Sequence, residues 1–150
     1  MEQKERKVVV VGAGVMGHGI AQTFAQGGFQ VSMVDTTQKA LDRGMDLIKS
    51  NLDTMAEEGF VDESIDAILK RVSCTTSLKE GAADSDIAIE VVFEDVETKK
   101  EIFTQLDTYC PPRALLASNT SFLNIFDFVE TSRPDKVLIT HWYAPAQLIP

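Results

Sequence analysis

Lys7-Val8-Val9-Val10-Val11-Gly12-Ala13-Gly14-Val15-Met16-Gly17-His18-Gly19-Ile20-Ala21 changes its regularity halfway along. Four consecutive valines without polar alternation suit a strand buried on both faces. Beyond the glycines, Ile20, Ala21, Phe24 and Ala25 recur at helical spacing up to Gly27-Gly28. The turn between these two patterns carries Gly12, Gly14 and Gly17, each with its own physical reason. Gly12 permits a tight exit from the strand. Gly14 has no Cβ, so a ligand can approach the backbone there. Gly17 lets the new helix pack close to the sheet. The free N–H groups at that helix start suit a diphosphate. The next apolar run, Gln30 to Val34, ends at Asp35, 23 residues after Gly12 (35 − 12). A carboxylate at that place can accept both hydroxyls of an adenosine ribose and repels a 2′-phosphate. The segment Gly12, Ala13, Gly14, Val15, Met16, Gly17 together with Asp35 therefore predicts a site for NAD rather than NADP.

The alternation continues along the chain. Thr36 or Thr37 is placed to cap a long helix carrying Ala40, Leu41, Met45, Ile48, Leu52 and Met55 and stopped by Gly59. Asp62 is placed to cap a short helix to about Lys70. Strands are expected at Val72 to Thr75, Ile87 to Phe93, Ala114 to Ala117 and Val137 to Thr140. A helix from Val96 to Tyr109 is stopped by Pro111-Pro112. Strands apolar on both faces, alternating with helices, imply an α/β fold with a doubly wound, mostly parallel sheet and helices on both faces. The closing residues, Ala146 to Pro150, read like the approach to a further strand.

Composition sets outer bounds. The chain has 150 residues, enough for one domain with its own core and no need of a staple. Its formal net charge is −9, which disfavours nucleic acid or an anionic membrane as a partner. The charged start, Met1 to Lys7, lacks the apolar core of a secretory signal, so a cytoplasmic location is expected. Cys74 and Cys110 form no CxxC and have no neighbouring His, so they are expected to be reduced thiols, and no metal site is expected.

Three further groups carry side chains suited to chemistry. Glu94, with Lys99 five residues on, leaves the fourth strand at the edge where ligands bind in an open α/β sheet. A carboxylate and an ammonium there can grip a second ribose, or can simply cap and face the next helix. Glu90 interrupts an apolar run, and a buried carboxylate needs a partner; a structural hydrogen bond is expected of it. Ser118-Asn119-Thr120-Ser121 ends the fifth strand, either as a polar turn or as a contact to cofactor and substrate. His141, followed by Trp142-Tyr143, ends the sixth, and an imidazole exchanges protons near neutral pH. His18, just past the third glycine, lies near the phosphates or faces solvent.

Gly12 to Ala21, Asp35, Glu90 to Glu94, Lys99, Ser118 to Ser121 and His141 together resemble the L-3-hydroxyacyl-CoA dehydrogenase family, in order and over nearly the whole chain. The resemblance implies a Rossmann-type NAD-binding domain and a 3-hydroxyacyl thioester as substrate. His141 would be the general base on the 3-hydroxyl while NAD takes the hydride. Ser121 would hold the reacting oxygen, and Glu94, Lys99 and Asn119 would contact the cofactor. It also implies a helical C-terminal domain that commonly makes a homodimer, and a Glu partner of His141 beyond Pro150. The chain is thus expected to be a domain fragment that binds NAD but turns over little substrate. Two departures keep a non-CoA 3-hydroxy acid open. His141-Trp142-Tyr143-Ala144-Pro145 has Ala144 where the family often has Asn, and Glu57 and Glu58 stand where basic residues tend to serve CoA phosphates. A non-catalytic NAD-binding protein is a further alternative, which the joint presence of Ser121 and His141 disfavours.

Overall fold

The computed structural model describes residues 6–149. Six strands form a single sheet: β1 (Lys7–Val11), β2 (Gln30–Val34), β3 (Val72–Thr75), β4 (Ile87–Glu90), β5 (Leu115–Ser118) and β6 (Val137–Ile139). All pairs are parallel and the spatial order is β3-β2-β1-β4-β5-β6. This is the order of a doubly wound dinucleotide-binding sheet, whose strand order reverses between β1 and β4.

The valines of β1 show how both faces come to be covered. Successive side chains of a strand point to opposite faces. Val8 and Val10 join one core with Ile20, Ala21 and Ala25 of α1 (Val15–Gln26), Leu41, Ile48 and Leu52 of α2 (Gln38–Glu57) and Ile68 of α3 (Ile65–Leu69). Val9 and Val11 join the other with Ala82 of α4 (Leu78–Ala82) and Phe103 and Leu106 of α5 (Val96–Tyr109). An all-apolar strand is what two such layers require.

Several boundaries differ from expectation, each for a local reason. Thr37 caps α2 by accepting the Ala40 N–H, as one of the two expected threonines. Ser64, not Asp62, precedes α3. α4 was not anticipated. Its signal is Ser77, whose hydroxyl accepts the Glu80 N–H as an N-cap. β4 stops at Glu90 rather than Phe93. After the Val91 N–H bonds the Val11 carbonyl, the Val92 N–H turns to the Glu90 carboxylate, which ends the ladder. Phe93 is left 87% exposed. β5 begins one residue late because the Ala114 N–H is taken by the Pro111 carbonyl. Residues 145–149 make a turn, with the Leu148 and Ile149 N–H groups both donating to the Pro145 carbonyl. That turn lies on α1, where a Cβ added at Gly19 would meet Ala146 and Gln147.

Candidate functional site

The register lines up the ends of five strands. Val34, Val11, Glu90, Ser118 and Ile139 are paired in one row across β2, β1, β4, β5 and β6. One residue further stand Asp35, Gly12, Val91, Asn119 and Thr140. The groups singled out at strand ends thus leave the sheet at its carboxyl edge, around the β1–β4 crevice where α/β sheets take ligands.

The glycine turn has a distinct physical role at each position. Gly12 has φ +114°, and a Cβ there would lie 2.7 Å from the Val91 carbonyl oxygen. The two loops diverge at this contact and leave no room for a side chain. A Cβ on Gly17 would lie 1.8 Å from the Gly12 oxygen. A Cβ on Gly14 would meet no atom within 4 Å. Gly14 is also the N-cap of α1 and offers no side chain to its N–H groups. Open space over unpaired backbone donors is the cradle a diphosphate needs, so the residues fit NAD. Val15 stands exposed beside this cradle, and Met16 is half-buried against the core. Asp35, at the end of β2, is engaged with the backbone on both carboxylate oxygens. Its Oδ2 accepts the Ala13 N–H at 2.8 Å and its Oδ1 the Thr36 N–H at 2.7 Å. The same carboxylate therefore braces the glycine turn. His18 neither faces solvent nor reaches the crevice freely: it is buried, with Nδ1 2.7 Å from the Gly14 carbonyl.

Glu94 and Lys99 stand together, with Lys99 Nζ 3.8 Å from Glu94 Oε2, but differ in exposure. Lys99 is 1% exposed, and its Nζ donates to Glu90 Oε1 at 2.7 Å. The ammonium thus rests on a carboxylate equally buried, at the start of the helix that follows β4. Glu90 has the partner that its position demanded. Glu94 lies nearer solvent and accepts the Thr120 hydroxyl at 2.8 Å and the Ser121 N–H at 2.5 Å. Its neighbour Asp95 caps α5, and the hydrogen bond from the Thr98 hydroxyl holds its carboxyl below the usual range. Thr120 was not singled out beyond its motif. It is buried, and besides bonding Glu94 it accepts the Leu123 N–H at 3.0 Å, which closes the turn that presents Ser121.

Asn119 reaches the backbone of the residue after His141. The Asn119 side-chain oxygen accepts the Trp142 N–H at 2.8 Å, tying the loop after β5 to the loop after β6. Ser121 and His141 are both exposed on these linked loops. The His141 ring packs against Tyr143, with centroids 4.7 Å apart. Trp142 turns the other way and packs on Phe24 of α1, at 5.9 Å. Thr140, His141, Trp142, Tyr143 and Ile149 line a cavity of about 320 Å³. A larger one, about 410 Å³, opens at the opposite edge of the sheet among Lys7, Gln30, Arg71 and Asp84. Two of its cations are spent on Asp84 and Glu63, and strand amino ends are not where such sheets bind nucleotides. Cys74 and Cys110 are free, and burial pushes both thiols up, so neither is a ready nucleophile.

Among the described residues no helix is long and apolar enough to cross a membrane. Residues 7–150 match the family model described as 3-hydroxyacyl-CoA dehydrogenase, NAD binding domain. A probable 3-hydroxybutyryl-CoA dehydrogenase of Bacillus subtilis is 39% identical over 146 residues, which are 96% of this chain and 50% of that protein. A 3-hydroxyadipyl-CoA dehydrogenase of Escherichia coli is 37% identical over 95% of this chain and 30% of its own length. The crystal structure of 3-hydroxybutyryl-CoA dehydrogenase from Escherichia coli superposes with a TM-score of 0.88 at 34% identity, covering 98% of this chain and 31% of that one. The chain spans about half the length of the first relatives it matches, or less.

Proposed function

This chain belongs to the 3-hydroxyacyl-CoA dehydrogenase family, of which it carries the NAD-binding domain, and from that premise we propose its chemistry. The protein that contains it oxidises the 3-hydroxyl of an L-3-hydroxyacyl-CoA to the 3-keto product. NAD, when bound, supplies the hydride acceptor. Gly12 to Gly17 receive its diphosphate on the free start of α1, and Asp35 takes the adenosine ribose. Glu94, Lys99 and Asn119, on and just after the adjoining strand ends, are the proposed contacts further along the crevice. His141 removes the hydroxyl proton, and in the reverse direction returns it. Ser121 donates to the reacting oxygen.

The observation that supports this most is the Asn119–Trp142 hydrogen bond. It joins the two loops that bear Ser121 and His141 at the mouth of the nucleotide crevice. Binding alone would need neither side chain; a proton transfer at a held oxygen needs both. Ala144 and the exposed Glu57 and Glu58 favour testing a free 3-hydroxy acid beside the CoA thioester.

Trp142 is the single tryptophan. Titrating the chain with NADH and with NADPH, following energy transfer from Trp142 to the reduced nicotinamide, should give saturable quenching that is tighter for NADH. Preference for NADPH would overturn the role of Asp35. This chain by itself is expected to bind NAD but turn over little. In the intact protein, His141→Ala should lower kcat by about 100- to 10,000-fold while NADH affinity holds. An unchanged kcat would remove His141 from the reaction.

A further inference from the structure

His18 stands in the first turn of α1, between two glycines, and its ring is turned inward. It is buried, and its Nδ1 lies 2.7 Å from the Gly14 carbonyl oxygen. A carbonyl only accepts, so Nδ1 carries the proton. The His18 backbone N–H reaches the same oxygen at 3.2 Å. One residue therefore supplies a donor for each lone pair of the Gly14 carbonyl. The sequence around it shows why such a stitch is needed. A Cβ on Gly17 would run into the Gly12 oxygen, and one on Gly19 would meet Ala146 and Gln147, so packing dictates both glycines. Glycine is the poorest helix former after proline. Two of the first five residues of α1 are thus glycine, and the N-cap, Gly14, brings no side-chain cap. The turn that carries the free N–H groups is the weakest part of the helix by composition.

We propose that His18 is a positioning residue of the cofactor cradle: its Nδ1–H holds the Gly14 carbonyl and so aims the Val15 N–H at the diphosphate of NAD. This rests on the NAD-binding reading for its ligand, but not for its geometry. The Gly14–Val15 peptide is trans, since the cis bond among the described residues is at Ala144–Pro145. In a planar trans peptide the C=O and the N–H point opposite ways. Holding the carbonyl along the helix therefore holds the Val15 N–H away from it, at the open cradle beside Gly14. That N–H is one of the four donors of a helix start that no carbonyl of the helix can take. A carbonyl that accepts a hydrogen bond also polarises its own peptide, which strengthens the donor at the other end. The ring itself is no ligand, because it is buried and its Nδ1 proton is spent on the backbone. Helix stability alone gives little reason for an imidazole here. Alanine is the better helix former, and a polar ring is costly to bury without a partner.

The test compares His18→Ala, His18→Asn and His18→Gln in this chain. The Asn amide nitrogen takes the place of Nδ1, whereas Gln carries its amide one bond further, to the place of Nε2. NADH binding is read by energy transfer from Trp142, and adenosine binding by amide shifts of ¹⁵N-labelled chain. His18→Ala should weaken NADH by about 10-fold, the worth of one lost hydrogen bond, and adenosine, which has no phosphate, by less than about 3-fold. His18→Asn should bind NADH within about 3-fold of the wild type, and His18→Gln should resemble His18→Ala. An equal loss for NADH and adenosine would show a merely structural histidine and overturn the proposal. NADH affinity unchanged in His18→Ala, or not restored in a folded His18→Asn, would overturn it too. Should His18→Ala fold poorly, the Asn and Gln variants decide between them, and equal NADH affinity in those two would count against the clamp. The second readout needs no ligand. The Val15 amide signal should move in His18→Ala and return in His18→Asn, and a signal unmoved in a folded His18→Ala would sink the idea. Should the wild type bind no NADH, the NAD-binding reading fails, and the Val15 signal still decides whether the clamp exists.

Discussion

Gly14 and Gly17 look alike in the sequence and differ in what surrounds them. The space over Gly14 is empty, while the place of a Gly17 Cβ is already filled by the Gly12 carbonyl. Gly14→Ala is therefore expected to cost no more than about 1 kcal/mol of stability, the loss of a good N-cap residue. It should weaken NADH binding by about 10-fold or more, because the methyl group stands where the diphosphate must come. Gly17→Ala should instead cost about 3 kcal/mol, since the helix has to move off the strand. Thermal melts and NADH titration of both variants check the division. A Gly14→Ala protein that binds normally would refute the cradle. Asp35 teaches the same caution in reverse. Its place at the end of β2 was readable, but its second task, holding the Ala13 N–H, depends on a turn that comes 22 residues earlier. Lys99 reads from the sequence as a ribose contact or as a cation on a helix face. Its burial is a property of what α5 packs against, and no local pattern carries it.

α5 ends at Tyr109, and its last carbonyls are claimed by a side chain from a distant segment. Arg133 donates to the Asp107 carbonyl at 2.7 Å and to the Pro111 carbonyl at 2.5 Å, and its Nε pairs with the Asp107 carboxylate at 2.9 Å. A cation at a helix carboxyl end also meets the favourable end of the dipole. Arg133 directly precedes the turn into β6, so this clamp fixes where β6 begins. Burial pushes the Asp107 carboxyl up, but the hydrogen bonds from the Ser132 N–H, Thr131, the Ser132 hydroxyl and Arg133 together outweigh it and hold it below the usual range. A carboxyl lowered on folding adds stability that is complete above its unfolded value, about 4, and is lost as pH falls through the lower folded value. Asp107→Asn should thus cost about 2 kcal/mol at pH 7. The gap from wild type should stay constant down to about pH 5 and narrow below about pH 4. Denaturant melts from pH 7 to 3 measure it, and a gap that widens in acid would contradict the assignment. The strand and helix alternation itself was legible because each element carries its own period. α4 has five residues, too few to show a period, and its signal in the sequence is the Ser77–Glu80 cap.

Stability should be distributed across the sheet as its order dictates. β1 and β4 are paired on both edges and covered on both faces, whereas β6 is bonded on one edge only and leaves Ile139 39% exposed. Amide exchange of Val9, Val10 and Ala88 should be slower than that of the β6 amides by about 100-fold or more, because edge opening needs no global unfolding. Equal protection would mean that the sheet opens as one unit. Taken over the molecule, the sequence by itself determined the fold class, the dinucleotide turn and the strand ends that surround it. Those depend on periodicity, on glycine's missing Cβ and on residues close together in the chain. Only the tertiary structure decided that Lys99 is buried on Glu90, that Asn119 holds the Trp142 backbone, and that Arg133 caps α5 from 26 residues away. Those depend on which strand ends the parallel register brings side by side. The register is set by burial of two whole layers, which no single segment contains.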